Sequence, residues 1–296
     1  MTTTTSTRGP GSQPDDAMPP ASRRGLVRRI LAFPLVWAAL GAAMIVIADG
    51  VLVGVGGDLG TPFLIGGSLL GGVLSLGLYI LTMRALAGRR VPELAGQVVR
   101  DVLLGLAIGA GFVALSALIV AALGGYSIAW NPSQQTATIA TAVAVNLGAA
   151  IVEELVFRGL LLQAVERLAG PWFAIVVTAL LFGGAHLLNP GASLWSGIAI
   201  AIEAGVLCGC AFVWRRSLWL VIALHFAWNV LESLLGIPVS GHREPGLWVT
   251  TVHGSDALTG GAFGLEASIV PVVVSLLLSA GFVLLARRRR KTQLHP

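Results

Sequence analysis

"AAIVEELVFRGLLLQAVERL", residues 149–168, is apolar enough to sit in lipid, yet it carries two adjacent carboxylates, Glu153 and Glu154, followed by Arg158. An ionisable side chain at bilayer depth costs about 2.5–3.5 kcal/mol on insertion scales, so each one requires a partner or a task. On a helix Glu154 and Arg158 are four residues apart and share a side, which permits a charge-assisted pair in a low-dielectric setting. Glu153 is turned about 100° from Glu154, and no basic residue stands three or four positions from it. Its partner has to come from another helix.

The surrounding chain says what kind of helix this is. The 296 residues are 55% hydrophobic and 11% charged, with a mean hydropathy of +0.85, well outside the range of soluble globular domains. Spanning a hydrocarbon core of about 30 Å takes about 20 apolar residues as a helix. Eight stretches meet that demand: Leu31 to Val55, Phe63 to Met83, Val102 to Leu123, Thr136 to Leu168, Pro171 to Leu188, Trp195 to Trp214, Leu218 to Leu235 and Ala267 to Ala286. The expected fold is therefore an all-α polytopic bundle of about eight transmembrane helices. Every Lys and Arg except Arg158 and Arg243 falls in the segments on one side of that arrangement. By the positive-inside rule both termini are then cytosolic, and the expected location is the plasma membrane. The expected organisation is a disordered tail at 1–22, N-terminal spans at 23–135, a core bearing the polar intramembrane residues at 136–236, an outer loop at 237–266, and a last span with a basic tail at 267–296.

Other signals carry less. Cys208 and Cys210 point about 200° apart on a helix, so they imply neither a disulfide nor a metal pair. His242 and His253 lie in the long loop, where solvated histidines are the simpler reading. The terminal "RRRRK" at 287–291 reads as a solvated stop signal with affinity for anionic lipid, and nothing in the sequence points to nucleic acid.

Within the spans the remaining polar residues are His186, Glu203, His225, Asn229 and Glu232. His225 and Asn229 are four apart and project from one helix face. Counted from the basic ends of their spans, Glu153 and His186 lie about 24 Å deep, and His225 and Asn229 about 14 to 20 Å. All four can converge near mid-membrane, on a cavity expected to face the basic, cytosolic side. A carboxylate held out of bulk water is suited to take a proton from a water molecule near neutral pH, and imidazole can share that work. Donors such as imidazole and carboxamide can stabilise the oxyanion that develops on an amide carbonyl. No Ser or Cys stands beside a His at helical spacing, so water is preferred as nucleophile.

These residues carry a resemblance. "EELVFR" (Glu153, Glu154, Arg158) fits EExxxR, "FGGAH" (Phe182, His186) fits FxxxH, and "HFAWN" (His225, Asn229) fits HxxxN. In order and setting they resemble the CAAX protease and bacteriocin-processing family of intramembrane proteases, over about residues 136 to 235. The resemblance implies that Glu153 and His186 activate water, that His225 and Asn229 hold the oxyanion, and that Glu154 and Arg158 support the site. It implies a peptide or membrane-anchored protein substrate, CAAX-like in some members, and no organic cofactor. Glu plus two His is also a set that binds Zn²⁺, but HExxH is absent and the ligands would come from three helices, so a metal stays open beside a metal-free water.

Two other classes use the same residues. An ion-coupled transporter would show inverted repeats and broken helices, and no repeat is visible. An immunity or regulatory protein would keep the polar residues as helix glue. Glu232 is expected to line the cavity or sit exposed near the outer interface, and Glu203 to make an interhelical hydrogen bond. Trp228 is expected to pack rather than touch substrate.

Overall fold

A computed structural model describes residues 2, 29–133 and 136–294; the tail expected at 1–22 lies, but for residue 2, outside the described residues. Among the described residues the long helices are α1 (Pro34–Leu59), α2 (Thr61–Ala85), α3 (Val98–Ala122), α4 (Thr136–Ala169), α5 (Pro171–His186), α6 (Leu194–Arg215), α7 (Leu218–Leu235) and α8 (Ile269–Leu294). Seven are long and apolar enough to cross a membrane. The chain is an all-α, multi-pass integral membrane protein. The eighth expected span, α5, has 16 residues, about 24 Å of helix. It is bounded by Gly170, at φ 81°, and Pro171 at its first turn, the pairing that ends one helix and starts the next.

The helices divide into a centre and a lipid-facing periphery. In α6, 83% of the apolar window is buried, against 17% in α1. Without a hydrophobic drive between helices in lipid, close approach depends on small residues. Gly105 and Gly109 of α3 supply it: a Cβ on either would strike the backbone carbonyls of Leu220 and Leu224 in α7. Gly183 likewise lies against the backbone of Gly197 and so serves packing between α5 and α6, whereas Gly184 faces open space. Trp228 is 1% exposed and meets Phe112 edge-on at 4.8 Å, a packing role as expected. Cys208 and Cys210 are both free and buried.

Two helices are locally underwound. Leu155–Leu161 of α4 and Ala201–Val206 of α6 are π-helical, a geometry that frees backbone carbonyls and concentrates at functional sites. Nothing in residue spacing announced either.

The helix ends form two contrasting faces. On one, Arg215 pairs with Asp101 at 2.6 Å, Arg216 with Glu166 at 2.5 Å, and Arg289 donates to the carbonyl of Trp214 at 2.9 Å. The opposite face is built from the segments 124–133, 187–193 and 236–268. The loop expected there is more ordered than its composition suggests: β1 (Tyr126–Trp130) and β2 (Trp248–Val252) pair antiparallel, Tyr126 opposite Val252 and Trp130 opposite Trp248. Tyr126 donates to the carbonyl of Thr259 at 2.5 Å, and burial pushes its phenol above the usual range.

Candidate active site

The π turn of α4 sets the site's foundation. Glu154 is fully buried and its Oε1 accepts Arg158 Nη1 at 2.7 Å, the pair expected from the four-residue spacing. Arg158 also donates to the carbonyls of Ala204 and Gly205 in the π turn of α6, the latter at 3.3 Å. Its guanidinium lies 5.0 Å over the Phe182 ring. One buried cation thus ties α4, α5 and α6 together, its charge met by a carboxylate and by carbonyls that the π geometry leaves available.

Upon this base sits His225 of α7. Its Nδ1 lies 3.0 Å from Glu154 Oε1. A carboxylate already paired with Arg158 can only accept, so Nδ1 carries the proton and the tautomer is set. Nε2 then faces Glu153, 3.9 Å from Oε2. The helical partner that Glu153 lacked is therefore this imidazole across the bundle, beyond direct hydrogen-bond length and at a span a bridging water fits. Glu154, assigned from sequence only to Arg158, is the residue that orients His225.

His186 closes the last turn of α5. Its Nδ1 is 2.8 Å from the Phe182 carbonyl, which can only accept, so Nε2 is left as the acceptor nitrogen. The ring stacks on Phe182 with centroids 4.5 Å apart, and the same Phe182 meets His225 edge-on at 6.2 Å. Asn229, one turn beyond His225, is buried, and its Oδ1 has no hydrogen-bond partner among the described residues.

Glu153, His186, His225 and Asn229 all line one cavity of about 770 Å³. Glu154 and Arg158 stand behind it. The cavity opens away from the arginine-rich face, not toward it as expected: its remaining wall comes from Thr61, the first half of α4, and the rim 239–245. The reason lies in the depth count itself. At about 24 Å from the basic end of a core of about 30 Å, Glu153 and His186 are nearer the other surface. Toward the basic end of α4, Leu155, Leu160 and Leu162 are all fully buried.

Further cavity residues went unnoticed in the sequence. Asn146 donates to the hydroxyl of Ser233 at 2.9 Å, and both face the cavity. Asn146 is two helical turns before Glu153 and Ser233 one turn after Asn229, a spacing that could have revealed them. His242 is exposed at the rim, while His253 is exposed and near Ser127 Oγ at 3.1 Å. Two expectations fail. Glu232 is 1% exposed and absent from the cavity wall: seven residues after His225 it shares that residue's helix face, but at its level in the bundle that face is packed shut. Neither carboxylate oxygen of the fully buried Glu203 has a hydrogen-bond partner among the described residues, so no interhelical bond explains it.

Metal fit can be judged from the donors. Nδ1 of each histidine is engaged behind the cavity, an arrangement that leaves Nε2 free as it is in metal-ligating histidines, while among the described residues no three His, Cys, Asp or Glu side chains draw together in a way that could hold an ion.

Compared with known families, residues 134–231 match the model described as type II CAAX prenyl endopeptidase Rce1-like. This region, about a third of the chain, resembles the Rce1-like family. The match spans α4 through most of α7 and contains all seven residues of the three motifs. The model describes CAAX prenyl endopeptidases, so the likeness of this region points to a membrane hydrolase acting on a peptide or protein substrate. No curated protein and no solved structure matches the chain.

Proposed function

We propose that this Rce1-like chain is an intramembrane endopeptidase in which Glu153 and His186 activate a water molecule that attacks a peptide carbonyl. The observation that carries it is the arrangement of four groups around one cavity: a carboxylate facing it, two imidazoles whose Nδ1 positions are both engaged behind it, and a buried carboxamide. Engaging Nδ1 presents Nε2 of each ring to the cavity as the working nitrogen. Glu153 takes a proton from the water and returns it to the leaving amine. Asn229 Nδ2 donates to the oxyanion, and His225 joins it when a second proton occupies Nε2, with Glu154 and Arg158 balancing that charge. No metal ion is needed for these steps. The substrate is a membrane-associated peptide segment, and the plasma membrane is the proposed location.

The test is a comparison of membrane peptides, by mass spectrometry, from cells expressing the wild type and Glu153→Ala. Products present only with the wild type support hydrolysis. Identical peptide profiles, together with proton-coupled uptake by the wild type in liposomes, would instead favour a transporter.

A further inference from the structure

We infer that the candidate active site takes its substrate from the non-cytosolic side of the membrane, so that its substrate class is an extracytoplasmic, membrane-proximal peptide segment and not a cytosolic prenylated C-terminus. The substrate part of this rests on the hydrolytic reading above; the direction of access does not.

Two independent asymmetries meet here. The first is charge. Among the described residues, every Lys and Arg apart from Arg158 and Arg243 belongs to segments at one end of the bundle, and the ion pairs of Arg215 and Arg216 draw the ends of α3, α4 and α6 together there. Arginines beside span ends are retained on the cytosolic side. Arg243 is, among the described residues, the one Lys or Arg at the other end, and it lies beside the cavity rim.

The second is access. The cavity's rim residues Val239, Ser240, His242, Glu244 and Pro245 all come from the segment after α7, on the face opposite the arginines. That rim is held in shape. Ser240 adopts φ 47°, a left-handed conformation that a non-glycine residue keeps only when its surroundings impose it. Glu266, 2% exposed, accepts from the Ser240 backbone N–H at 2.6 Å and its hydroxyl at 2.8 Å. Asn189, itself on the cavity wall, donates to the Ser240 carbonyl at 3.1 Å. Burial pushes the Glu266 carboxyl above its usual range, with Ser240's hydrogen bonds only partly offsetting this. The mouth is a braced edge against which an extended peptide can lie.

The arginine side is closed below the site. Tyr79 donates to Glu93, Arg89 pairs with Glu93 at 2.8 Å and donates to Gln163, and Gln163 donates to the Gly159 carbonyl at 2.9 Å. This polar lid joins α2, α4 and the turn Pro92–Leu94. The hollow on that face, lined by Arg84, Arg90 and Ala95 among others, shares no residue with the site cavity.

The test reads topology without reading cleavage. Glu244→Cys, at the mouth, and Arg90→Cys, on the arginine face, are both exposed positions, and the native cysteines are buried and serve as the blank. Each variant is treated with a membrane-impermeant maleimide in right-side-out and in inside-out vesicles. Glu244→Cys is expected to label in right-side-out vesicles and be protected in inside-out ones, with Arg90→Cys the reverse. The opposite pattern, or labelling of both sites from both faces, overturns the inference. In protein that cleaves, external modification of Glu244→Cys is expected to stop cleavage, and unchanged cleavage would overturn this route. A chain that labels as expected yet cleaves nothing would sink the hydrolase alone.

Discussion

Glu153 and Glu154 are adjacent in sequence and belong to two different halves of the protein. On one side of the boundary between them lies an open, polar cavity, where Glu153 has 29% of its side chain exposed and polar atoms await a partner. On the other is a packed half in which Glu154 is fully buried and its Oε1 is held by both Arg158 and His225. The difference of about 100° in helical phase decides which carboxylate can meet water. The lesson is that reactivity and support are separated by rotation along one helix rather than by depth.

The most damaging way to break this contrast is Glu153→Gln, which removes the base from the open half. Cleavage is expected to fall by about 10²–10⁴-fold, while thermal unfolding in detergent stays that of the wild type. A comparable loss of melting temperature would mean that Glu153 is structural and erase the distinction. Glu154→Gln attacks the packed half and leaves Arg158 as a buried uncompensated charge, at a cost of about 3–5 kcal/mol. Calorimetry or fluorescence melting should show a marked drop in stability, with activity lost as a consequence. An unshifted melting curve would show that the pair is dispensable.

Asn229→Ala sharpens the contrast by removing an oxyanion donor without touching either carboxylate. Turnover is expected to drop about 10²–10³-fold with little change in KM; a change confined to KM would recast Asn229 as a substrate-binding group. Smallest is Glu93→Gln in the closing network of the arginine face, where losing one partner of buried hydrogen bonds costs about 1–3 kcal/mol. Burial alone would raise the Glu93 carboxyl, but Arg89 and Tyr79 outweigh it and hold it below its ordinary 4.5. A carboxyl depressed in the folded state contributes stability that is fully present above pH 4.5 and is lost as pH falls through its lower folded value. The wild type should therefore lose melting temperature on acidification below that point, and Glu93→Gln should lose less; parallel curves would remove Glu93 as the cause.

Much of the site was legible because helical periodicity is local. Spacings of four placed Glu154 with Arg158 and His225 with Asn229 on shared faces. The eight apolar runs and the arginine asymmetry were readable for the same reason: membrane thickness and insertion act on stretches of chain. What went unread depends on which helices touch. Glu154 as the partner of His225, the π turns that free carbonyls for Arg158, and Glu232 packed into the core all follow from packing between segments distant in sequence. The β1–β2 pairing joins strands more than a hundred residues apart and lay hidden for the same reason.

By itself, then, the sequence determined that the chain spans the membrane, where its basic residues gather, and which polar residues share each helix face, because hydrophobic length and 3.6-residue periodicity are properties of single segments. Tertiary structure alone decided which carboxylate faces water, which imidazole nitrogen is left to work, and through which end the cavity opens. Those depend on how neighbouring helices close around the site, and burying leucines toward one end while bracing the other with a loop is a choice that no isolated helix records.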